Sequence, residues 1–155
     1  MHCCRYKQAA DQGHADAMLE VAECYEEGRG VKKNKAEAIR QCKRAAAAGY
    51  EESYYRLYHL GEYNEAFVGL KKIADNDSSA NRAFCLLGKC YEFGHGVAAD
   101  KDAAIRMYLM ANLAGDDVRE DFERIAGPDW QDVVFNRKYG IPAPGLYFLP
   151  GLDSD

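Results

Sequence analysis

The sequence predicts an all-α fold built from repeated helical hairpins, and three observations support this fold class. Two stretches that lie 66 residues apart, 17–49 and 83–115, share 14 identical residues in 33 positions, where average composition would give roughly two. Each stretch contains two amphipathic helical patterns. A glycine-containing turn separates these patterns, and another glycine follows the second one. Such an internal repeat predicts an array of similar helical units.

The first helix of each copy, called helix A, has apolar residues at i, i+3, i+4 and i+7, which places them on one face. They are Met18, Val21, Ala22 and Tyr25 in the first copy and Phe84, Leu87, Gly88 and Tyr91 in the second. The segments that follow are Glu-Glu-Gly-Arg-Gly-Val and Glu-Phe-Gly-His-Gly-Val. Because glycine adopts a left-handed backbone without steric cost, these segments predict the end of helix A and a turn.

The second helix of each copy, called helix B, is rich in alanine. Its apolar positions are Ala38, Ile39, Cys42, Ala45 and Ala46 in the first copy and Ala104, Ile105, Tyr108 and Ala111 in the second. Gly49 and Gly115 end the two patterns. Since small residues let two helices approach closely, each copy is predicted to fold as a helical hairpin.

An alanine, a Leu-Gly pair, a tyrosine, the Gly-x-Gly-Val turn and an alanine-rich helix ending in glycine together resemble the Sel1-like repeat, a relative of the tetratricopeptide repeat. The resemblance is strongest over 17–49 and 83–115. It implies a right-handed α-α superhelix, or solenoid, of helical hairpins whose concave face is lined by A helices and binds other proteins. The function that it implies is that of a non-enzymatic scaffold or adaptor for a protein or peptide.

We predict one solenoid domain over residues 1–140. It comprises a half repeat at 2–13, repeats at 14–49, 50–77 and 78–115, and a degenerate capping hairpin at 116–139. The half repeat is a helix B without its helix A, because a shift of 36 residues places Gly13 on Gly49. Two interpretations remain open: another element caps this end, or the chain is a spacer segment of a longer repeat array.

The repeat at 50–77 departs from the pattern. It lacks the Gly-x-Gly-Val turn and has 28 residues, which is closer to the short turn of a tetratricopeptide repeat. Tyr58 stands where Ala22 and Gly88 lie in the other repeats, so we expect a local change in superhelical pitch. Residues 77–79, Asp-Ser-Ser, are expected to cap the next helix A.

The segment 141–155 is a proline-rich, apolar C-terminal tail. Its three prolines exclude a helix, while its leucines and aromatic residues are too apolar for a solvated linker. We expect it to pack either over the apolar face of the last hairpin or in a concave groove, in its own chain or in a neighbouring one. The second arrangement would produce self-association.

Composition excludes several classes of function. The net charge of -5 and the lack of a stripe that interleaves basic and aromatic residues argue against a nucleic-acid partner. No apolar run approaches the ~20 residues of a membrane span. The segment after Met1 lacks the apolar core of a secretory signal. These features favour a cytoplasmic location unless a signal lies upstream.

The six cysteines are interpreted as reduced thiols that fill the apolar core. Some secreted relatives within the Sel1-like family carry a bridged pair in each repeat, so three disulfides are the alternative. Cys24 and Cys90 occupy equivalent positions, but Cys42 aligns with Tyr108. Because a bridge built into the repeat would duplicate both partners, the reduced state is preferred.

No metal, no other cofactor and no catalytic residue is predicted. His2, Cys3 and Cys4 lack the paired Cys-x2-4-Cys spacing of structural zinc sites. The four histidines are scattered, and Gly94-x-Gly96 lacks the strand before it and the lysine after it that a phosphate-binding loop requires. Since some Sel1-like proteins have been linked to β-lactams, a hydrolase-type or small-molecule-binding protein is the alternative function.

The predicted binding surface consists of helix A positions off the core stripe, which should face the concave side. They are Leu19, Glu20, Glu23 and Glu27 in the first full repeat, Tyr55, Arg56 and His59 in the second, and Cys85, Lys89, Glu92 and Phe93 in the third. Acidic residues run along the first of these helices from Asp16 to Glu27, so a basic segment of the partner is expected there. Tyr55 and Phe93 are expected to be apolar anchors.

Overall fold

The computed structural model describes residues 2–130, without the side chain of His2. These residues form eight α-helices and no strand, which confirms the predicted all-α fold class. The helices are α1 (His2–Asp11), α2 (Ala15–Glu27), α3 (Lys35–Ala47), α4 (Glu52–His59), α5 (Tyr63–Asn76), α6 (Asn81–Phe93), α7 (Lys101–Leu113) and α8 (Arg119–Ala126). The chain divides into two compact units, Met1–Gly69 and Leu70–Asp155.

In the first unit, α2 packs against both α1 and α3, and α3 also packs against α4. The core contains the small and apolar residues expected from the helix A and helix B patterns. Its fully buried members include Val21, Ala22, Ala38, Cys42, Ala45 and Leu57. Removing these side chains from water stabilises the hairpin. A polar contact joins α3 to α1, since the Arg44 guanidinium donates to the carbonyl oxygen of Ala10 at 3.1 Å.

The turn between helices A and B has the same geometry in both copies of the repeat. Gly28 and Gly94 have φ angles of 76° and 72°, the left-handed conformation that the sequence pattern predicts. Asn34 and Asp100 then begin helix B. Their side chains accept hydrogen bonds from backbone N–H groups three residues ahead, at 3.1 and 3.0 Å. Both residue types favour this N-cap position, and together they set where α3 and α7 start.

The expected helix cap at residues 77–79 is wrong. Helix α6 begins at Asn81, and the preceding Ala80 provides no side-chain cap. The Asp77 carboxylate instead accepts hydrogen bonds from the N–H and the hydroxyl of Ser79, at 2.8 and 2.6 Å. Such a local side-chain bond closes a turn and competes with capping of the next helix.

In the repeat at 50–77, which departs from the sequence pattern, α4 and α5 pack together at Tyr54 and Gly69. A Cβ added at position 69 would overlap the Tyr54 ring, so a larger residue there would have to displace that ring. Tyr58 is half-buried and packs edge-on against Tyr63, with 5.3 Å between ring centroids. Five residues of this repeat are buried at positions that match the core positions of helices A and B in the other repeats: Ser53, Leu57, Ala66, Leu70 and Ile73.

In the second unit, α6 packs against α7, and α7 packs against α8. One core cluster consists of Phe84, Ala104, Ile105, Tyr108, Leu109, Ala111, Val118, Phe122 and Trp130. Phe122 stacks on Trp130 with 5.0 Å between ring centroids, and it meets Tyr108 edge-on at 6.2 Å. Helix α8 is therefore held by aromatic packing. The rest of the predicted capping hairpin and the tail 141–155 lie outside the described residues.

Candidate functional site

The residues predicted to form the binding surface differ in exposure. Glu20, Glu27, His59 and Phe93 are exposed, whereas Glu23, Arg56, Cys85, Lys89 and Glu92 are partly buried. Leu19 and Tyr55 are buried, with exposed fractions of 5% and 9%. Leu19 and Tyr55 are therefore core residues in this structure, and the expectation that they face the surface is corrected. A single apolar stripe accounts for packing within one hairpin, but a helix in a repeat array also packs against its neighbours.

The first unit contains a group of charged side chains that joins α2 to α4, here called the Glu23 cluster. It consists of Glu23, Glu26, Glu27, Arg29 and Arg56. Arg56 donates to the Glu23 carboxylate at 2.9 Å, and its other terminal nitrogen lies 3.8 Å from Glu26. Arg29 also bonds to Glu23 and pairs with Glu27 at 2.8 Å. Glu23 is thus shared between two guanidinium groups.

Glu23 is held in its charged form. The hydrogen bond from Arg56 lowers the pKa of the Glu23 carboxyl, and the charge of Arg29 adds to this effect against the opposing effect of burial. The predicted acidic surface is consequently neutralised in part by residues of the same unit. Among the described residues, Glu20 takes part in no ion pair and remains exposed.

The second unit contains an equivalent group that joins α6, α7 and α8, here called the Glu92 cluster. It consists of Glu92, Tyr108, Asp121 and Arg124. Arg124 donates twice to the Glu92 carboxylate, at 2.7 and 2.8 Å, and Tyr108 donates its hydroxyl at 2.6 Å. Arg124 also bonds to Asp121 at 2.5 Å. The bidentate geometry makes this the more strongly held of the two clusters.

Burial and hydrogen bonding oppose each other at Glu92. Burial would raise the pKa of its carboxyl, but the hydrogen bonds from Arg124 and Tyr108 and the charge of Arg124 outweigh it, so the pKa is lowered. Burial and the adjacent carboxylate raise the pKa of Tyr108. Tyr108 therefore keeps its proton and acts as a hydrogen-bond donor.

Phe93 lies on the surface beside the Glu92 cluster. Its side chain is 53% exposed, and the Arg124 guanidinium carbon lies 5.7 Å from its ring centroid. The His95 ring lies 5.6 Å from the same ring. A guanidinium at this distance from an aromatic face stabilises the ring position by a cation–π interaction. Phe93 is thus an exposed aromatic residue held in a defined place.

The two clusters follow one design. Glu26 and Glu92 occupy equivalent repeat positions, 66 residues apart, and each is approached by an arginine from the next helix A of its own unit, Arg56 on α4 and Arg124 on α8. The sequence analysis did not identify Arg124, because α8 lies outside the repeated segment. An arginine on the second helix after each repeated glutamate was the available signal.

One difference between the clusters leaves a carboxylate oxygen without a donor. Cys42 occupies the position of Tyr108, so the first unit has no hydroxyl at this place. Atom Oε1 of Glu26 is buried and has no hydrogen-bond partner among the described residues. Its nearest charge is the Arg56 guanidinium at 3.8 Å, beyond hydrogen-bond distance.

A groove that sequence analysis did not predict lies between α3, α4 and α5 in the first unit. Its volume is about 470 Å³, and it is lined by Lys43, Ala46, Ala47, Tyr54, Leu57, Asn64, Glu65 and Val68. Val68 is 69% exposed. Lys43 bridges Glu62 at 3.0 Å and Glu65 at 2.6 Å at the rim. The groove is apolar, with a charged margin.

The cysteines are present as free thiols, and four of them, Cys3, Cys24, Cys42 and Cys90, are buried. Burial raises the pKa of Cys42 and of Cys90 to about 11. Within the described part of the chain, no group of three or more His, Cys, Asp or Glu residues could hold a metal ion. The same residues include no helix that is long and apolar enough to cross a membrane.

The repeated helical hairpins, their Gly-x-Gly turns and the ion pairs that join successive A helices within each unit are features of a helical repeat protein. The Sel1 repeat family model matches residues 6–14, 15–50 and 83–116, just over half of the chain. The chain therefore belongs to the Sel1 repeat family. The matched segments leave out 51–82. This stretch contains α4, α5 and the short turn that replaces the Gly-x-Gly-Val turn.

Two solved structures are similar to this chain. A Sel1 repeat protein from Oxalobacter formigenes is 30% identical, with a TM-score of 0.61 over 72% of this chain and 48% of its own. The protein c5321, a protective antigen present in uropathogenic Escherichia coli strains, displays an SLR fold; it is 31% identical, with a TM-score of 0.61 over 74% of this chain and 26% of its own. The chain thus spans about half and about a quarter of these proteins. No curated protein matches its sequence.

Membership of this family defines the class of function at a coarse level. Sel1 repeat proteins generally mediate protein–protein interactions and are generally non-catalytic scaffolds. The family assignment and the helical repeat fold predicted from the sequence are both confirmed.

Proposed function

We propose that this chain is a non-enzymatic interaction module that binds a protein or peptide on the surface of its A helices. The observation that carries this proposal is the placement of Phe93. It is more than half exposed, yet Arg124 holds it beside the Glu92 cluster. An ordered aromatic residue at the surface offers apolar area at little further cost in conformational entropy, as binding hot spots commonly do.

The first unit supports a preference for a basic segment of the partner. Glu20 and Glu27 are exposed on α2. Arg29 is the partner of Glu27, and both side chains are 55% exposed, so their pair contributes little to stability. A lysine or arginine of a partner can replace Arg29 there. Glu23 is already shared between Arg29 and Arg56 and acts mainly to orient them.

The first alternative stated above, a β-lactam-related hydrolase or small-molecule-binding protein, rests on the resemblance alone. The second, a spacer within a longer array, rests on the half repeat at 2–13. Phe93 and the exposed carboxylates of α2 favour neither. Binding of a protein partner is therefore the function that these residues support best.

The test is affinity capture from the native source, with the wild-type chain compared against Phe93→Ala. Leu113→Ala is a matched control, because Leu113 has the same exposed fraction of 53% and lies at the end of α7. We expect Phe93→Ala to lose the captured partner and Leu113→Ala to keep it. Equal capture by all three chains would refute the role of Phe93.

A second pair of variants tests the acidic surface. Glu20→Arg should weaken binding of the captured partner and flatten its dependence on salt, because a steering charge is reversed. Asp75→Arg, which changes an exposed acid on α5, is the control for net charge. If both variants bind as the wild type does at every salt concentration, the proposed basic segment of the partner is wrong.

A further inference from the structure

The groove between α3, α4 and α5 leaves apolar side chains in contact with solvent. Its apolar lining includes Ala46, Ala47, Tyr54 and Val68. Among the large apolar side chains of the described residues, none is more exposed than Val68, at 69%. A ligand that covers this lining removes apolar surface from water, which favours binding.

The other repeats carry a different residue at the position of Val68. Arg40 and Arg106 occupy it there, and both are exposed. A solvated cation is thus replaced by an apolar side chain in the repeat at 50–77. Since the family model leaves out 51–82, the groove is a feature of this chain and not of the pattern that the family shares.

The charged margin of the groove has an excess of negative charge. The Lys43 ammonium lies 3.0 Å from a carboxylate oxygen of Glu62 and 2.6 Å from one of Glu65. One cation therefore serves two carboxylates, and the Glu65 side chain is 53% exposed. A cation of a ligand can pair with Glu65 while Lys43 keeps Glu62. Charge complementarity thus favours a ligand with a basic group.

Asn64 offers a polar contact at the same groove. It is exposed and belongs to the lining, and its side-chain amide has no hydrogen-bond partner within residues 2–130. An asparagine amide provides both a donor and an acceptor, which match the two polar groups of a peptide unit. An extended peptide has these groups free, whereas a helix uses them internally. The amide therefore favours an extended peptide.

We propose that this groove binds an extended segment of a partner protein, with apolar side chains at positions i and i+2 and a lysine or arginine beside them. Side chains two residues apart in an extended chain point to the same side, about 7 Å from each other. They cover Val68 and the two alanines, the basic residue pairs with Glu65, and Asn64 bonds to the backbone. The groove does not include Phe93, so this inference does not depend on the proposed function.

The experiment selects a random phage-displayed peptide library on the native full chain. We expect the enriched sequences to share two apolar residues at i and i+2 and an adjacent lysine or arginine. The most enriched peptide is then synthesised, and its affinity for each variant is measured by fluorescence polarisation. Phe93→Ala should bind this peptide as the wild type does, which separates this site from the surface of the proposed function.

Val68→Arg tests the apolar part of the groove. It introduces the residue that the equivalent positions carry, at an exposed site, so the melting temperature should stay close to that of the wild type. We expect the affinity for the peptide to fall by about tenfold or more, because burial of a valine side chain is lost. Leu113→Arg, at a residue on α7 that is 53% exposed, is the matched control and should bind normally.

Glu65→Gln tests the charged margin. It should weaken binding by about two- to fivefold at low salt, as expected for an exposed ion pair, and by less at high salt. Asp75→Asn, at an exposed acid of α5, is the control and should leave the affinity unchanged. A peptide that binds Glu65→Gln as tightly as it binds the wild type at low salt would refute the basic residue of the partner.

Other results would overturn the proposal. One is an enriched peptide that binds Val68→Arg as tightly as the wild type. Apolar residues at the helical spacing of i and i+3 or i+4 would show that the occupant is a helix. Self-association of the wild type that Val68→Arg abolishes, measured by analytical ultracentrifugation, would show that a second copy of the chain covers the groove. Failure to enrich any peptide on a folded wild-type chain would also refute it.

Discussion

The ring of Tyr108 on α7 lies directly against Gly88 on α6. A Cβ at position 88 would lie 2.6 Å from Cδ1 of that ring, closer than van der Waals contact permits. Tyr108 is completely buried. Its hydroxyl donates a hydrogen bond to the carboxylate of Glu92, which also lies on α6. Because Gly88 has no side chain, the Tyr108 ring has room to lie against α6 and to place its hydroxyl at Glu92.

The first prediction concerns Gly88→Ala. The added methyl group should force the Tyr108 ring to move, at a cost of about 1–3 kcal/mol for overpacking, which exceeds the ~1 kcal/mol that alanine gains over glycine within a helix. We expect a net loss of up to about 2 kcal/mol in the free energy of unfolding, measured by urea denaturation. Gly88→Ala combined with Tyr108→Cys should lose less than the sum of the single variants. Strict additivity would contradict the proposed contact.

The second prediction transfers the Gly–Tyr pair to the first repeat, where Ala22 and Cys42 occupy the equivalent positions. Cys42→Tyr alone should destabilise the chain by about 1–3 kcal/mol, because Ala22 blocks the ring. Ala22→Gly alone should cost ~1 kcal/mol of helix propensity. In the double variant, the new hydroxyl can reach Glu26 Oε1, which has no donor among the described residues. The double variant should therefore be more stable than Cys42→Tyr, and a less stable double variant would refute the equivalence.

The third prediction tests the hydroxyl of Tyr108. Tyr108→Phe keeps the ring but removes the donor to the Glu92 carboxylate, whose side chain is only 11% exposed. A hydrogen bond to a charged group contributes about 1.5–3 kcal/mol, so we expect a loss of ~2 kcal/mol by chemical denaturation. Tyr50→Phe is the matched control at a 40% exposed tyrosine and should change stability little. Equal effects of the two variants would show that the buried bond contributes nothing.

The fourth prediction is a pH dependence that arises from Glu92. Its pKa in the folded state is lowered below the ordinary value of 4.5. Because the unfolded chain binds the proton more readily, the stabilisation is complete above about pH 5 and is lost as pH falls through the lower, folded pKa. The melting temperature should therefore decrease once the pH is lowered below about 4.5.

Glu92→Gln separates this contribution from that of other carboxylates. The variant should be less stable than the wild type at neutral pH, and the difference should shrink as the solution becomes acidic. Glu120→Gln, at an exposed position on α8, is the control. If the difference between wild type and Glu92→Gln stays constant over the whole range, Glu92 is not the group responsible.

Particular residues show how far the sequence predicts this structure. The 66-residue repeat predicted both Gly-x-Gly turns, and Gly28 and Gly94 adopt the left-handed conformation. The core stripes of α2 and α6 were also predicted, because helical periodicity reports which face of a helix is buried. Leu19 and Tyr55 were assigned to the wrong environment, since their burial depends on more than the stripe of one hairpin.

Gly69 illustrates a second limit. Nothing in the local pattern distinguishes it from a tolerated helical glycine. Its special role comes from the Tyr54 ring on another helix, which a Cβ at position 69 would overlap. Arg124 was missed for a related reason. It lies 32 residues from Glu92 in the chain, and only the packing of α8 brings the two together.

The sequence by itself determined the repeat, its helical hairpins and its family, because each of these depends on short-range periodicity and on turn residues with particular backbone preferences. The tertiary structure alone decided which charges pair. The pairing of Arg56 with Glu23 and of Arg124 with Glu92 depends on distances between helices. Those distances follow from side-chain packing, which no single helix encodes.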